Sequence, residues 1–356
     1  MVEPVIPMQI EFNLINEATP GAKWLHWFNQ YWPVYRAWFL SQGEAQRPTY
    51  RQVIRALNQH MPEIAHNIED MTELAGGGDH TARFLSQYCP PPFFAACSQA
   101  IMDTSEPVLI RNYDYSPRLF DGLILNSRWN ERSVIGMADC MSGLVDGMNE
   151  SGLVVSLAFG GRKQVGPGFG IGLIQRYVLE TCDSVNQAVK ALQRLPLQIS
   201  YNVALLDSSG NYATLALSPD NDPVVSNHQV STNHQGTDRW VKYTEMIESD
   251  SRYQYLTDLL STDAITATSL VSAFLEPPLF RDSFDSGYGT LYTAAYFPAR
   301  KEVHYLWKGQ CRVCNIVDNS EWSTVIQYST QDMESTPLWP AVHQTLGSLR
   351  DGFVIS

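Results

Sequence analysis

Cys97 heads an apolar, strand-like run, and the next such run closes with Arg111-Asn112-Tyr113-Asp114. A thiol beside a fixed guanidinium and a carboxylate is a candidate activated nucleophile, since a nearby cation favours thiolate. Two short strands joined by a turn around Thr104 to Pro107 would bring Arg111 and Asp114 to Cys97. Further along, Thr232-Asn233-His234 ends another short strand and offers a side-chain amide and an imidazole. An imidazole can act as a base.

The elements that would position these groups follow from the patterning. Residues 1 to about 90 read as helices. Trp24, Phe28, Tyr31, Tyr35 and Trp38 recur at helical spacing as an aromatic packing face, which Pro33 should break or kink. Thr49 with Gln52 forms a capping box for a second helix. Cys89-Pro90-Pro91-Pro92 ends the helical part. From Cys97 to about Phe159 the pattern is of strands, near 107–111, 123–126, 133–137, 143–148 and 153–157. Asn149-Glu150-Ser151-Gly152 is the turn between the last two. The glycine-rich run Gly166-Pro167-Gly168-Phe169-Gly170 lacks a following ribose-binding acid and reads as a turn before a helix. Helices are expected near 173–181 and 185–195, the second capped by Ser184 with Gln187. Strands follow at 201–206 and 212–217, then helical stretches at 240–260 and 268–275. A hairpin of 290–296 with 302–307 comes next, and a short helix near 339–349. Strands, helices, then strands with antiparallel turns make an α+β pattern.

Composition bounds the class. A chain of 356 residues can bury a large core. Its formal net charge of -13 argues against a nucleic-acid partner, which needs a basic surface. No apolar run approaches the roughly 20 residues that span a bilayer. Met1 to Pro20 shows no basic n-region followed by an apolar core, so no signal peptide is expected and the default location is cytoplasmic. The six cysteines are scattered and do not resemble a secreted disulfide framework. Cys311-x-x-Cys314 has no second pair and no clustered histidines, which favours two ordinary thiols over a zinc or redox site. No metal is expected.

Several separated motifs carry a resemblance. Cys97 starts the first strand of the region. Arg111-Asn112-Tyr113-Asp114 follows, and then Asp146-Gly147-Met148-Asn149-Glu150-Ser151-Gly152-Leu153. Thr232-Asn233-His234 comes next, and last Thr290-Leu291-Tyr292 with the strand pair ending near Trp307. In this order they resemble the N-terminal nucleophile (Ntn) hydrolases of the choloylglycine hydrolase and isopenicillin N acyltransferase group, peptidase C45-like, over roughly 97–308. The resemblance implies a four-layer αββα sandwich, with 1–96 a helical leader (propeptide or light fragment) and 97–356 the catalytic domain. It also implies autocatalytic cleavage between Ala96 and Cys97. The freed α-amine of Cys97, with an ordinary pKa of about 7.7–8, would then take the thiol proton.

The same resemblance implies a role for each residue. Asp114 would hold the amine, Arg111 would favour thiolate, and Asn233 would donate to the oxyanion. A second asparagine of the bile-salt branch is replaced in Leu157-Ala158-Phe159, so the Ala158 backbone N–H would serve in its place. The family's C-terminal arginine finds no counterpart in a matching motif; Arg281 and Arg300 fall nearby. Tyr113, Trp129 and Phe159 are either pocket aromatics or core.

The expected function is that of a self-processing cysteine amide hydrolase or acyltransferase. It would act on a linear N-acyl amide, a small molecule, through a thioester on Cys97, without cofactor, nucleic acid or membrane; self-association stays open. Two other readings remain: an uncleaved, non-enzymatic relative with Cys97 covered, and a papain-like thiol protease using Cys97 and His234.

Overall fold

The computed structural model describes residues 8–117, 120–237, 239–262, 264–284 and 288–328. The expected helix near 339–349 lies outside them. The first described element is a strand, β1 (Met8–Glu17), followed by helices α1 (Ala22–Phe39), α2 (Tyr50–His60), α3 (Pro62–Leu74) and α4 (Asp79–Leu85). The β1 strand departs from the helical reading of this region. Its Ile10, Phe12 and Leu14 alternate with exposed or half-buried residues and bury one face. α1 runs through Pro33 without ending. The Thr49–Gln52 capping box opens α2 as expected.

Six strands follow: β2 (Ala96–Met102), β3 (Val108–Tyr115), β4 (Leu123–Ser127), β5 (Val134–Asp139), β6 (Gly143–Asn149) and β7 (Val154–Phe159). Helices α5 (Ile171–Thr181) and α6 (Val185–Arg194) come next. Ser184 is the N-cap of α6 but makes no side-chain cap bond; the Gln187 side chain instead accepts from the backbone of Asp183. Then come β8 (Tyr201–Leu206), β9 (Tyr212–Leu217), β10 (Val224–Ser226) and β11 (Val230–Ser231). The stretch 240–260 divides into α7 (Val241–Met246) and α8 (Ser249–Leu260), because Glu248 adopts a left-handed conformation between them. The remaining elements are α9 (Ala267–Phe274), β12 (Gly289–Phe297), β13 (Glu302–Trp307), β14 (Gln310–Asn315) and β15 (Trp322–Tyr328).

The strands form two sheets. One has nine strands in the order β10-β9-β8-β7-β6-β5-β4-β1-β15, and the other six, β11-β2-β3-β12-β13-β14. All pairings are antiparallel except β1 with β4. The sheets face each other through β2 and β3 against β7 and β8. Helices α5 and α6 cover the outer face of the larger sheet, and α8 and α9 that of the smaller. The fold is therefore an α+β sandwich with its sheets inside and its helices outside. This layering explains the inner strands: every residue of β2, β6, β7 and β8 is buried, because both faces of each are covered.

Candidate active site

The β2–β3 hairpin sets the site. Its register pairs Cys97 with Tyr113, Gln99 with Arg111 and Ala96 with Asp114. Side chains directly opposite share a face, and faces alternate along a strand. Cys97, Arg111 and Tyr113 therefore point into the space between the sheets. Ala96, Ser98 and Asp114 point toward the helices on the other side. The hairpin does bring Arg111 and Asp114 to Cys97, but on opposite faces of its backbone.

On the inner face, Arg111 Nη2 lies 3.0 Å from Cys97 Sγ. The guanidinium is fully buried and is held from the larger sheet. Its Nη1 donates to Asp146 Oδ2 at 3.0 Å and to the Val145 carbonyl at 2.9 Å. Asp146 also accepts from the hydroxyls of Tyr292, at 2.5 Å, and Tyr296. The Asp146-Gly147-Met148-Asn149 run at the end of β6 thus supplies the carboxylate that aims Arg111 at the sulfur, a role its sequence did not disclose. Burial alone would lower the Arg111 pKa, but Tyr292, Cys97 and Asp146 hold it above its ordinary value.

On the outer face, Thr290 Oγ1 donates to Asp114 Oδ1 at 2.7 Å. Asp114 Oδ2 is buried and has no hydrogen-bond partner among the described residues. Burial raises this carboxyl, while Arg252 and the Thr290 bond oppose the rise. Arg252, on α8, also fixes Cys97 itself. It donates to the Cys97 carbonyl at 2.6 Å, to Ser98 Oγ at 2.7 Å and to Asn233 Oδ1 at 3.1 Å.

Asn233 follows the short strand β11 and touches the chain on both sides of Ala96. Its Oδ1 accepts the Cys97 N–H at 2.8 Å. Its Nδ2 donates to the carbonyls of Ala95, at 3.0 Å, and Phe159, at 3.1 Å. The Tyr243 hydroxyl donates to the same Ala95 carbonyl at 3.1 Å. Ala158 is buried in β7, in register with Asn202 and one residue before that Phe159 carbonyl.

His234 engages other groups. Its Nδ1 is 2.9 Å from Ser249 Oγ and 3.3 Å from Thr232 Oγ1, and burial lowers its pKa. No hydrogen bond joins it to Cys97 among the described residues. Arg281 bonds to Glu248 and Tyr288, and Arg300 pairs with Glu106 and Glu302 near the surface. Trp129 lies on the Arg176 guanidinium, 3.8 Å from ring centre to Cζ, as core beneath α5. Cys311 and Cys314 sit three apart on β14, so they face opposite sides, one exposed and one buried. Among the described residues, Glu44, Asp79 and His80 come close enough to share a metal ion. Arg83 already pairs with both acids there, and His80 bonds Glu44 at 3.0 Å.

Sequence reasoning missed Arg252 and Tyr243. The buried positions of α8 are Ser249, Arg252 and Leu256, so an arginine stands where the helical period calls for an apolar residue. That substitution was a usable signal. Tyr243, on the short α7, offers none of that kind.

The family model described as acyl-coenzyme A:6-aminopenicillanic acid acyl-transferase matches residues 101–311, starting just after Cys97. No curated protein matches this sequence. Similar solved structures include a single-residue variant of conjugated bile acid hydrolase from Clostridium perfringens, at 13% identity and TM-score 0.45, covering 67% of this chain and 100% of that one. Penicillin V acylase from Agrobacterium tumefaciens is similar at 16% identity and TM-score 0.41, over 61% of this chain and 84% of that one. The Caenorhabditis elegans ortholog of N-acylethanolamine-hydrolyzing acid amidase is similar at 18% identity and TM-score 0.40, over 57% and 93%. Among the described residues, no helix is long and apolar enough to cross a membrane.

Proposed function

Because this chain belongs to the acyl-coenzyme A:6-aminopenicillanic acid acyl-transferase family, we propose that it is a self-processing enzyme with Cys97 as its N-terminal nucleophile. It cleaves a linear N-acyl amide and hands the acyl group to water or an amine. The observation that carries this reading is the division of labour about Cys97. Arg111 stands at its sulfur, and the orphaned oxygen of Asp114 lies on the face toward which Ser98 and Arg252 point. A free α-amine at Cys97 would give Asp114 Oδ2 the donor it lacks.

In maturation, Cys97 Sγ attacks the Ala96 carbonyl carbon. The carbon–nitrogen bond breaks, the thiol proton ends on the Cys97 nitrogen, and water then hydrolyses the Ala96 thioester to a carboxylate and the free thiol. In turnover, the amine takes the thiol proton and the sulfur attacks the substrate carbonyl. The proton passes to the leaving amine, and water or an acceptor amine releases the acyl group. Arg111 stabilises sulfur anion, Asp114 orients the amine, and Asn233 donates to the oxyanion with the Ala158 backbone N–H beside it. This chemistry uses no metal or organic cofactor.

The test is intact-mass measurement of the purified protein with and without a panel of N-acyl amides. The expected result is two fragments divided before Cys97, plus an acyl adduct that Cys97→Ala abolishes. An intact chain with full activity overturns the self-processing mechanism. An intact chain whose activity depends on His234 favours a thiol protease.

A further inference from the structure

A second group of polar side chains lies between α1 and the sheets, apart from the machinery at Cys97. Asp139 ends β5 half-buried, and Asp121 is buried in the loop between β3 and β4. The Tyr35 hydroxyl of α1 links them, 2.9 Å from Asp121 Oδ2 and 3.5 Å from Asp139 Oδ1. Neither acid forms an ion pair among the described residues, and Arg111, the cation over the Tyr113 ring, is committed to Asp146. Burial raises the Asp121 carboxyl well above its usual range and Asp139 adds to the rise, whereas burial raises Asp139 only to about 6. At neutral pH the pair therefore carries one negative charge, on its half-buried member. Three more phenols face that charge. Burial raises Tyr113, Tyr115 and Tyr201, and in each the charge that adds most is Asp139. The Cys97 thiol acts on Tyr113 and Tyr201 as well, so these two rings are within reach of both the sulfur and Asp139. The Tyr201 hydroxyl is buried, the residue being 2% exposed, and has no hydrogen-bond partner among the described residues. Aromatic walls complete the cleft: the Phe93 ring is 6.4 Å from each of Trp38, Tyr115 and Tyr201.

We infer that this cleft binds the protonated amine of an amide substrate, held by the Asp139 carboxylate and the Tyr201 hydroxyl between aromatic walls. The inference rests on the cysteine-nucleophile reading above. An alkylammonium brings one positive charge and three N–H donors. Asp139 has a charge without a counter-ion, and Tyr201 an oxygen without a donor, so one group meets both needs. Aromatic faces attract a cation held within about 6 Å of the ring centre. A single charged carboxylate suits a monocation better than a divalent metal, which collects several anionic oxygens. A chain that ends in a methyl group instead covers the carboxylate and leaves its charge unpaired. Phe93 borders Tyr115 and Tyr201 and precedes the Ala96–Cys97 bond, on the acyl side of the carbonyl that Cys97 attacks. The amine therefore belongs on the acyl chain of the substrate.

The experiment compares substrates that differ only in an ammonium against a methyl group of the same size. The acyl-side pairs are the p-nitroanilides of 4-aminobutanoate and pentanoate, 6-aminohexanoate and heptanoate, and 8-aminooctanoate and nonanoate. The leaving-side pair is N-hexanoyl-1,5-diaminopentane and N-hexanoylhexylamine. In at least one acyl-side pair the ammonium member should have a kcat/KM higher by about 10–10²-fold, as a charge-assisted hydrogen bond supplies. Asp139→Asn, which keeps the shape and removes a charge that burial disfavours, should erase that difference. A preference confined to the leaving-side pair also supports the cleft and puts the amine on the other side of the bond. No preference in any pair, or one that survives Asp139→Asn, overturns this inference and leaves the nucleophile standing. If no amide is turned over, the nucleophile reading fails, and calorimetric titration of the protein with hexylammonium and with 1-hexanol decides the cleft by itself. Hexylammonium binding that Asp139→Asn removes supports the cleft, and equal binding of the two probes overturns it.

Discussion

The Cys97 sulfur lies 3.0 Å from a guanidinium nitrogen of Arg111, yet in the uncut chain burial pushes the thiol up to about 11. Desolvation exceeds what Arg111 and Arg252 return, and Asp114 adds to the rise. The cation therefore limits the cost of thiolate without making it the resting state. Alkylation of Cys97 by iodoacetamide in uncut protein should be slow at neutral pH and rise toward pH 11. Arg111→Leu should move that curve to higher pH, because it removes a group that lowers the thiol. Peptide mass mapping across a pH series decides it, and coincident curves refute the pairing.

Arg111 also carries structural weight. Breaking its buried pair with Asp146 leaves a carboxylate uncompensated, at a cost of about 3–5 kcal/mol. Arg111→Met should lower the urea midpoint accordingly. Asp146→Asn, which keeps an oxygen for one of the two tyrosine hydroxyls, should cost less in stability while loosening Arg111 and lowering kcat. The reverse order of midpoints would contradict the network.

Asp114→Asn keeps the shape of the side chain and its Thr290 contact, so the fold should survive, as circular dichroism can check. Turnover should fall by orders of magnitude, and maturation should slow as well, since the Asp114 carboxyl serves both steps. Normal turnover would leave Asp114 with only its bond to Thr290.

Asn233→Ala should reduce kcat about 10²–10³-fold with KM little changed, because the contact strengthens as the oxyanion forms. A raised KM at constant kcat would reassign the residue to ground-state binding.

The hydroxyl of Tyr35 on α1 is 2.9 Å from Asp121 Oδ2 and 3.5 Å from Asp139 Oδ1. The second contact favours the charged form of Asp139, but burial outweighs it. Burial raises Asp139 from 3.8 to about 6. A carboxyl raised in the folded state stabilises fully below its unfolded value near 3.8, and that contribution is lost as pH rises through about 6. Asp139→Asn should therefore add about 1–2 kcal/mol at about pH 7.5 and almost nothing at about pH 4. Urea titrations at the two pH values measure it.

Local signals in the sequence were informative where chemistry depends on neighbours along one strand or turn. The β2–β3 hairpin, the turn after β6, the Thr49 cap and the two helices after the glycine loop all follow from short-range rules. Ile10, Phe12 and Leu14 carried the period of a strand, but the helical stripe beginning at Trp24 obscured it. The split between α7 and α8 turns on the backbone of a single residue, Glu248, which no periodicity reports. Arg252 reaches Cys97, and Tyr243 the nearby Ala95 carbonyl, from more than a hundred positions away in the chain. Only tertiary packing determines which polar side chains of a helix turn inward.

The placement of β1 between β4 and β15 has its own thermodynamic consequence. A cut before Cys97 would leave the earlier fragment as an interior strand of a sheet owned mostly by the later one. The cut protein would be a heterodimer whose halves share a hydrogen-bond ladder, and neither half could complete that sheet by itself. Its unfolding would become bimolecular, so its melting temperature would rise with protein concentration, whereas that of the uncut chain would not.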